Sequence, residues 1–190
     1  MIESPHDLGV HQVAALSARA AFVFLCLGLC WGAFTTTGWL HRLSGRQATR
    51  GSHVLFVTLA LAFAVLHALA FLFMQDEYVG PADLIIPLRD GGISQALGVV
   101  TVEAMLALMI STAAQRFLRH RQWLWLHRLG YPVVALGVLH SFAGAMIDGH
   151  LAVLWLTGLV VLVPTALVVS LRFLPGRLWT GAGLLKEMER

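Results

Sequence analysis

The sequence predicts an all-α integral membrane bundle of about five transmembrane helices, amino terminus outside and carboxyl terminus cytoplasmic. Three observations predict it. The 190 residues are 58% hydrophobic and only 12% charged, with mean hydropathy +0.77, whereas an ordinary soluble domain carries about 25% charge. The apolar residues fall into five stretches, each long enough to cross a hydrocarbon core of about 30 Å at 1.5 Å per residue. The arginines gather in alternate connections between those stretches. A soluble globular enzyme is excluded, and the expected location is a cell membrane, spanned several times.

The spans run from about Ala14 to Leu40, Ser52 to Met74, Ile93 to Gln115, Trp123 to Ile147 and Leu151 to Leu171, making residues 1–190 a single membrane domain. Their Leu, Ala, Val and Gly content shows no period-two alternation, which favours helices over a barrel. The opening MIESPHDLGVHQ is acidic and no small-residue cleavage site precedes a short apolar core, so the first span is expected to be retained. Cys26 and Cys30 lie four apart in that span, without metal-knuckle or disulfide spacing, and read as small packing residues. Thr35, Thr36 and Thr37, at its far end, are expected to bond back onto the helix.

Arg42, Arg46 and Arg50 follow the first span, Arg116, Arg119 and Arg121 the third, and Arg172, Arg177, Lys186 and Arg190 the fifth. Cytoplasmic loops carry such an excess. The opposite side holds Glu3, Asp7, Asp76, Glu77, Asp83, Asp90 and Asp148, and Trp39, Trp123 and Trp179 fall near the cytoplasmic boundary. The net charge of +3 and the pI of 9.4 are thus a matter of orientation, and a nucleic-acid partner loses its support.

Four of the nine histidines lie within spans: His53 and His67 on the second, His127 and His140 on the fourth. Both spans are expected to run from cytoplasm to outside, so the histidines form two levels, about 21 Å apart along the second span. An intramembrane ionisable residue faces the bundle interior or a ligand. A lone one is more often an interhelical hydrogen-bonded contact, but two facing helices with imidazoles at matched depths form the arrangement that clamps two haems. His41, His120, His6, His11 and His150 read as interfacial or solvated. Glu103, the one acid near the middle of a span, is expected to be shielded by a partner or protonated.

The runs GWLHRLSGRQATRGSHVLFVTLALAFAVLHALAF and RQWLWLHRLGYPVVALGVLHSFAGAMID resemble the ferric reductase-like transmembrane domain. That domain is shared by ferric reductases, the membrane half of NADPH oxidases and the haem subunit of the methionine sulfoxide reductase system. The likeness covers nearly the whole chain, through His-x13-His, His-x12-His and the Trp123 to Tyr131 segment. It implies a module with two b-type haems, His53 with His127 holding the inner and His67 with His140 the outer. Arg50, one turn before His53, and Arg128, directly after His127, become candidate partners for haem propionates beside their topological role. The chain departs from longer members in having no FAD or nicotinamide-binding fingerprint. The expected donor is therefore a separate flavoprotein reductase or a quinol, and the expected acceptor ferric iron, dioxygen or an external redox partner. Two alternatives stay open: a quinone-linked haem b subunit serving a soluble enzyme, and a haem-free transporter or structural subunit.

Helical phase adds one expectation. Fourteen residues turn about 1400°, close to four full turns, so His53 and His67 share a face, whereas thirteen turn about 1300° and leave His140 about 140° away from His127. Pro132 lies between the latter two and lacks a donor for the Arg128 carbonyl, so an irregular or overwound backbone is expected there, with His127 in a frayed first turn.

Overall fold

The computed structural model describes residues 4–37, 45–75, 79–89, 92–147, 149, 163, 166, 167 and 170. The expected span at 151–171 lies outside the described residues apart from 163, 166, 167 and 170, as do His41, His150, Trp39 and Trp179. The regular structure among the described residues is helical, with turns at 81–89, and four stretches are long and apolar enough to cross a membrane: Pro5–Ala33, Arg46–Phe73, Ile93–Ala113 and His120–Ile147.

Helix α1 spans Pro5–Thr37 and starts earlier than its apolar run. Ser4 supplies the cap: its hydroxyl accepts the Asp7 N–H at 3.1 Å, and Pro5 sits where a missing N–H costs nothing. His6 and His11 therefore lie on the first turns of α1 instead of in an irregular tail. Asp7 is buried and its carboxylate accepts the Gln75 N–H at 3.2 Å, tying the start of α1 to the end of the next helix. Thr35 bonds back to the Gly32 carbonyl at 2.7 Å as expected; the side chains of Thr36 and Thr37 lie outside those described.

Helix α2 spans Arg46–Ala70 and tightens into a 3₁₀ turn at Phe71–Phe73. Gly45 precedes it at φ 79°, a left-handed conformation open to glycine. In the connection to α3 (Ile93–Ala113), Asp83 is buried: its carboxylate accepts the Gly80 N–H at 2.8 Å and its carbonyl the Gln95 side-chain N–H at 3.1 Å. One of the acids expected on the outer surface thus shapes a turn. Helix α4, His120–Arg128, and helix α5, Gly130–Ile147, form the last described span.

These helices close a ring in which α1 packs on α2 and α5, and α3 packs on α5 and α2. Helices α2 and α5 lie on the diagonal and are not a closely packed pair. Midway along the bundle Ala60, Met105 and Val133 are buried together, flanked by Phe24, Leu25, Leu61, Ala104 and Leu108. Ala60 is seven residues from both His53 and His67, so this cluster separates the two histidine levels. Lipid tails are as apolar as leucine, so fit, not hydrophobic burial, holds such helices together. Gly137 shows the fit: a methyl group there would meet Leu25 at 2.9 Å and Thr101 at 3.3 Å.

Candidate functional site

Helix α2 brings one histidine to α4 and the other to α5. His53 on α2 and His127 on α4 have ring centroids 6.0 Å apart with planes at 79°. His67 on α2 and His140 on α5 have centroids 6.1 Å apart with planes at 62°. An imidazole nitrogen binds a first-row metal at about 2.0–2.1 Å and lies about 1.1 Å from its ring centroid, so two rings that share one metal ion would have centroids no more than about 6.3 Å apart. Both pairs fall within that limit.

Orientation comes from neighbouring helices. His53 Nδ1 lies 2.9 Å from the Gly28 carbonyl and His67 Nδ1 2.9 Å from the Ala14 carbonyl, both on α1. His140 Nδ1 lies 2.7 Å from the Ser94 carbonyl on α3. A carbonyl oxygen can only accept, so in each case Nδ1–H donates and the lone pair is left on Nε2, the tautomer a metal ligand needs. His67 also meets the edge of Phe71, centroids 5.1 Å apart. His127 stacks on Trp123 at 5.1 Å and 18°, and Trp123 in turn meets His120 at 5.9 Å.

The phase problem on the fourth span is resolved in two parts. At Leu129, between α4 and α5, the N–H donates three residues back to Leu126 at 3.0 Å, a 3₁₀-type tightening. Pro132 falls in the first turn of α5, where its missing donor is tolerated. A 3₁₀ step adds only about 20° per residue, so one tightened turn leaves most of the angle to the side chains. His127 leans on Trp123 of its own helix, while His140 reaches across to α3. The expected frayed turn is corrected: His127 lies in the last turn of α4, not the first.

The arginines divide. Arg50 lines an open cleft of about 560 Å³ with Arg46, Gln47, Gly51 and Val54. Arg128 instead sits over the Trp125 ring, 5.7 Å from its centroid, and does not line that cleft. The Trp123 indole nitrogen, beside His127, is buried with no hydrogen-bond partner, a donor suited to an acidic group at this level. Glu103 is exposed on α3, so the expected shielding partner is not supplied by the described residues. Cys26 is fully buried and Cys30 half-buried, in line with a packing role.

Sequence reading found the four histidines and missed what aims them. Carbonyl acceptors carry no residue signature, yet one signal existed: Ala14 and Gly28 are fourteen residues apart on α1, the same interval that separates His53 from His67. Among the described residues no group of three or more His, Cys, Asp or Glu gathers. Each pair therefore offers a metal two protein ligands, short of the four of a structural zinc site and equal to the axial demand of a haem iron. No family model, curated protein or solved structure matches the chain.

Proposed function

We propose that the chain carries single electrons across a cell membrane as the haem b component of a ferric reductase-like oxidoreductase. His53 with His127 and His67 with His140 would be the axial ligand pairs. The observation that carries this reading is the pairing of rings at 6.0 and 6.1 Å, at two levels between α2 and the α4–α5 stretch. When bound, haem supplies reversible one-electron exchange, with a potential set by its axial ligands and surroundings.

The chain's own part is to aim and insulate. Gly28, Ala14 and Ser94 fix three Nδ1–H groups and so direct three Nε2 atoms into the bundle. Two imidazoles per iron leave no coordination position for a substrate, which confines the site to outer-sphere transfer. The core of Ala60, Met105 and Val133 keeps the levels apart in a dry interior. Arg50 and the Trp123 N–H suit the propionates of the His53/His127 level. The positive-inside rule favours placing this level toward the cytoplasm, with a fifth span at 151–171 and the carboxyl terminus inside. Electrons would then enter there from a separate flavoprotein reductase or a quinol and leave outward to ferric iron, dioxygen or an external redox partner.

A reduced-minus-oxidised spectrum of the purified chain, with a pyridine haemochrome count, tests this. Paired α and β bands and two haems per chain are expected. His67→Ala or His140→Ala should each remove one haem, and His53→Ala or His127→Ala the other. Absence of the bands overturns the proposal, and a single haem in the intact chain eliminates one of the two levels.

A further inference from the structure

Resting on the two-haem reading, we infer that Gly98 and Gly32 are positioning residues, each setting the rotation of one ligand imidazole and thereby tuning one haem level independently of the other. The same arrangement occurs on two helices. Ser94 on α3 accepts from His140, and four residues on, one turn along the same face, stands Gly98. A methyl group at Gly98 would lie 2.8 Å from His140 Cε1, 3.0 Å from Nδ1 and 3.1 Å from Nε2. On α1, Gly28 accepts from His53, and four residues on stands Gly32. A methyl group there would lie 3.1 Å from His53 Cε1, 3.4 Å from Nδ1 and 3.9 Å from Nε2.

The nitrogen-bearing edge of each ring therefore occupies the space a side chain would fill. The carbonyl fixes where Nδ1 points, and the missing Cβ lets the ring come close enough to reach it. His67 uses the same register in weaker form: its acceptor is Ala14, and the residue four on is Ala18. Other glycines follow a different logic. Gly137 makes room for Leu25 and Thr101, and Gly144 has nothing within 4 Å of a Cβ.

The two contacts differ in severity. At Gly98 three ring atoms fall within 3.1 Å, so an alanine must push His140 off the Ser94 carbonyl. At Gly32 one ring atom lies within 3.1 Å, and a small rotation of His53 relieves it. Losing the Nδ1–H···O=C bond makes the imidazole a poorer donor to iron. A ferric centre is then less favoured, and the potential of that level rises.

The experiment uses the full chain with its native haem, in detergent, comparing wild type, Gly98→Ala, Gly32→Ala and Gly144→Ala by redox titration and by EPR of the low-spin ferric signals. Gly98→Ala should raise the midpoint potential and shift the highest g value of the His67/His140 level, or empty it, with the other level unmoved. Gly32→Ala should move only the His53/His127 level, and by less; Gly144→Ala should move neither. If Gly98→Ala does not accumulate as folded protein, Gly32→Ala decides. Two wild-type low-spin signals with both levels unmoved in the alanine variants, or both levels moved together, overturn the inference and leave the two-haem reading standing. A wild type without low-spin haem removes that reading and this inference with it.

Discussion

At the residue scale, Trp123 carries a buried donor that the described residues leave without an acceptor. Its ring stacks on His127 at 5.1 Å while its buried indole nitrogen has no hydrogen-bond partner, and an unmade buried hydrogen bond costs about 1–3 kcal/mol. Phenylalanine would keep an aromatic surface against His127 and remove the donor. Trp123→Phe is therefore expected to retain two haems but weaken the His53/His127 level, seen as several-fold faster haem loss from that level during transfer to apomyoglobin. Equal loss rates in both proteins would make the indole N–H irrelevant to binding. The sequence made the four paired histidines legible as a group because an imidazole in a lipid-spanning segment is costly wherever it is not used. It could not show that Arg128 turns toward Trp125, because guanidinium direction depends on which aromatic face lies nearby.

At the scale of elements, the interruption at Leu129 sets the rotation of α4, and with it His127, relative to α5. Helices α4 and α5 occupy one stretch, His120–Ile147, and a regular helix over it would turn His127 and His140 toward different neighbours. Pro132→Ala restores a donor for the Arg128 carbonyl and allows the helix to run on. Because α5 is anchored by His140 on Ser94 and by the close packing at Gly137, the turn should be taken up by α4. Haem content is then expected to fall from two per chain toward one, the His53/His127 level being lost. A ratio that stays at two would assign the interruption to tertiary packing and not to proline. The phase arithmetic foretold that this segment is irregular. It could not foretell the division of the angle between one tightened turn and two side chains, since rotamers answer to neighbours that sequence spacing does not specify.

At the scale of the described bundle, α2 and α5 lie across a ring of helices from one another, with Ala60, Met105 and Val133 buried together midway along it. Ala60 is 1% exposed, so a larger side chain has nowhere to go, and overpacking of this kind costs about 1–3 kcal/mol. Ala60→Leu is expected to lower the thermal midpoint in detergent and to perturb both levels together, in contrast to the one-level effects above. A variant that melts like wild type with both levels intact would show that this cluster has slack. Composition and hydropathy were enough to read the helices and, among the described residues, four of the expected spans with approximate bounds. The start of α1 was missed because Ser4, Pro5 and Asp7 build a helix beginning from polar residues that hydropathy counts against a span. The ring order was not legible, because lipid-facing and partner-facing positions have similar composition when neither meets water. One consequence follows from where the aiming bonds lie. Both α2 imidazoles are directed by α1, and His140 is directed by α3, while His127 rests on Trp123 of its own helix. Each half of the chain thus carries the acceptors for its own imidazoles, so α1 packed on α2 alone would already hold His53 and His67 with the proton on Nδ1.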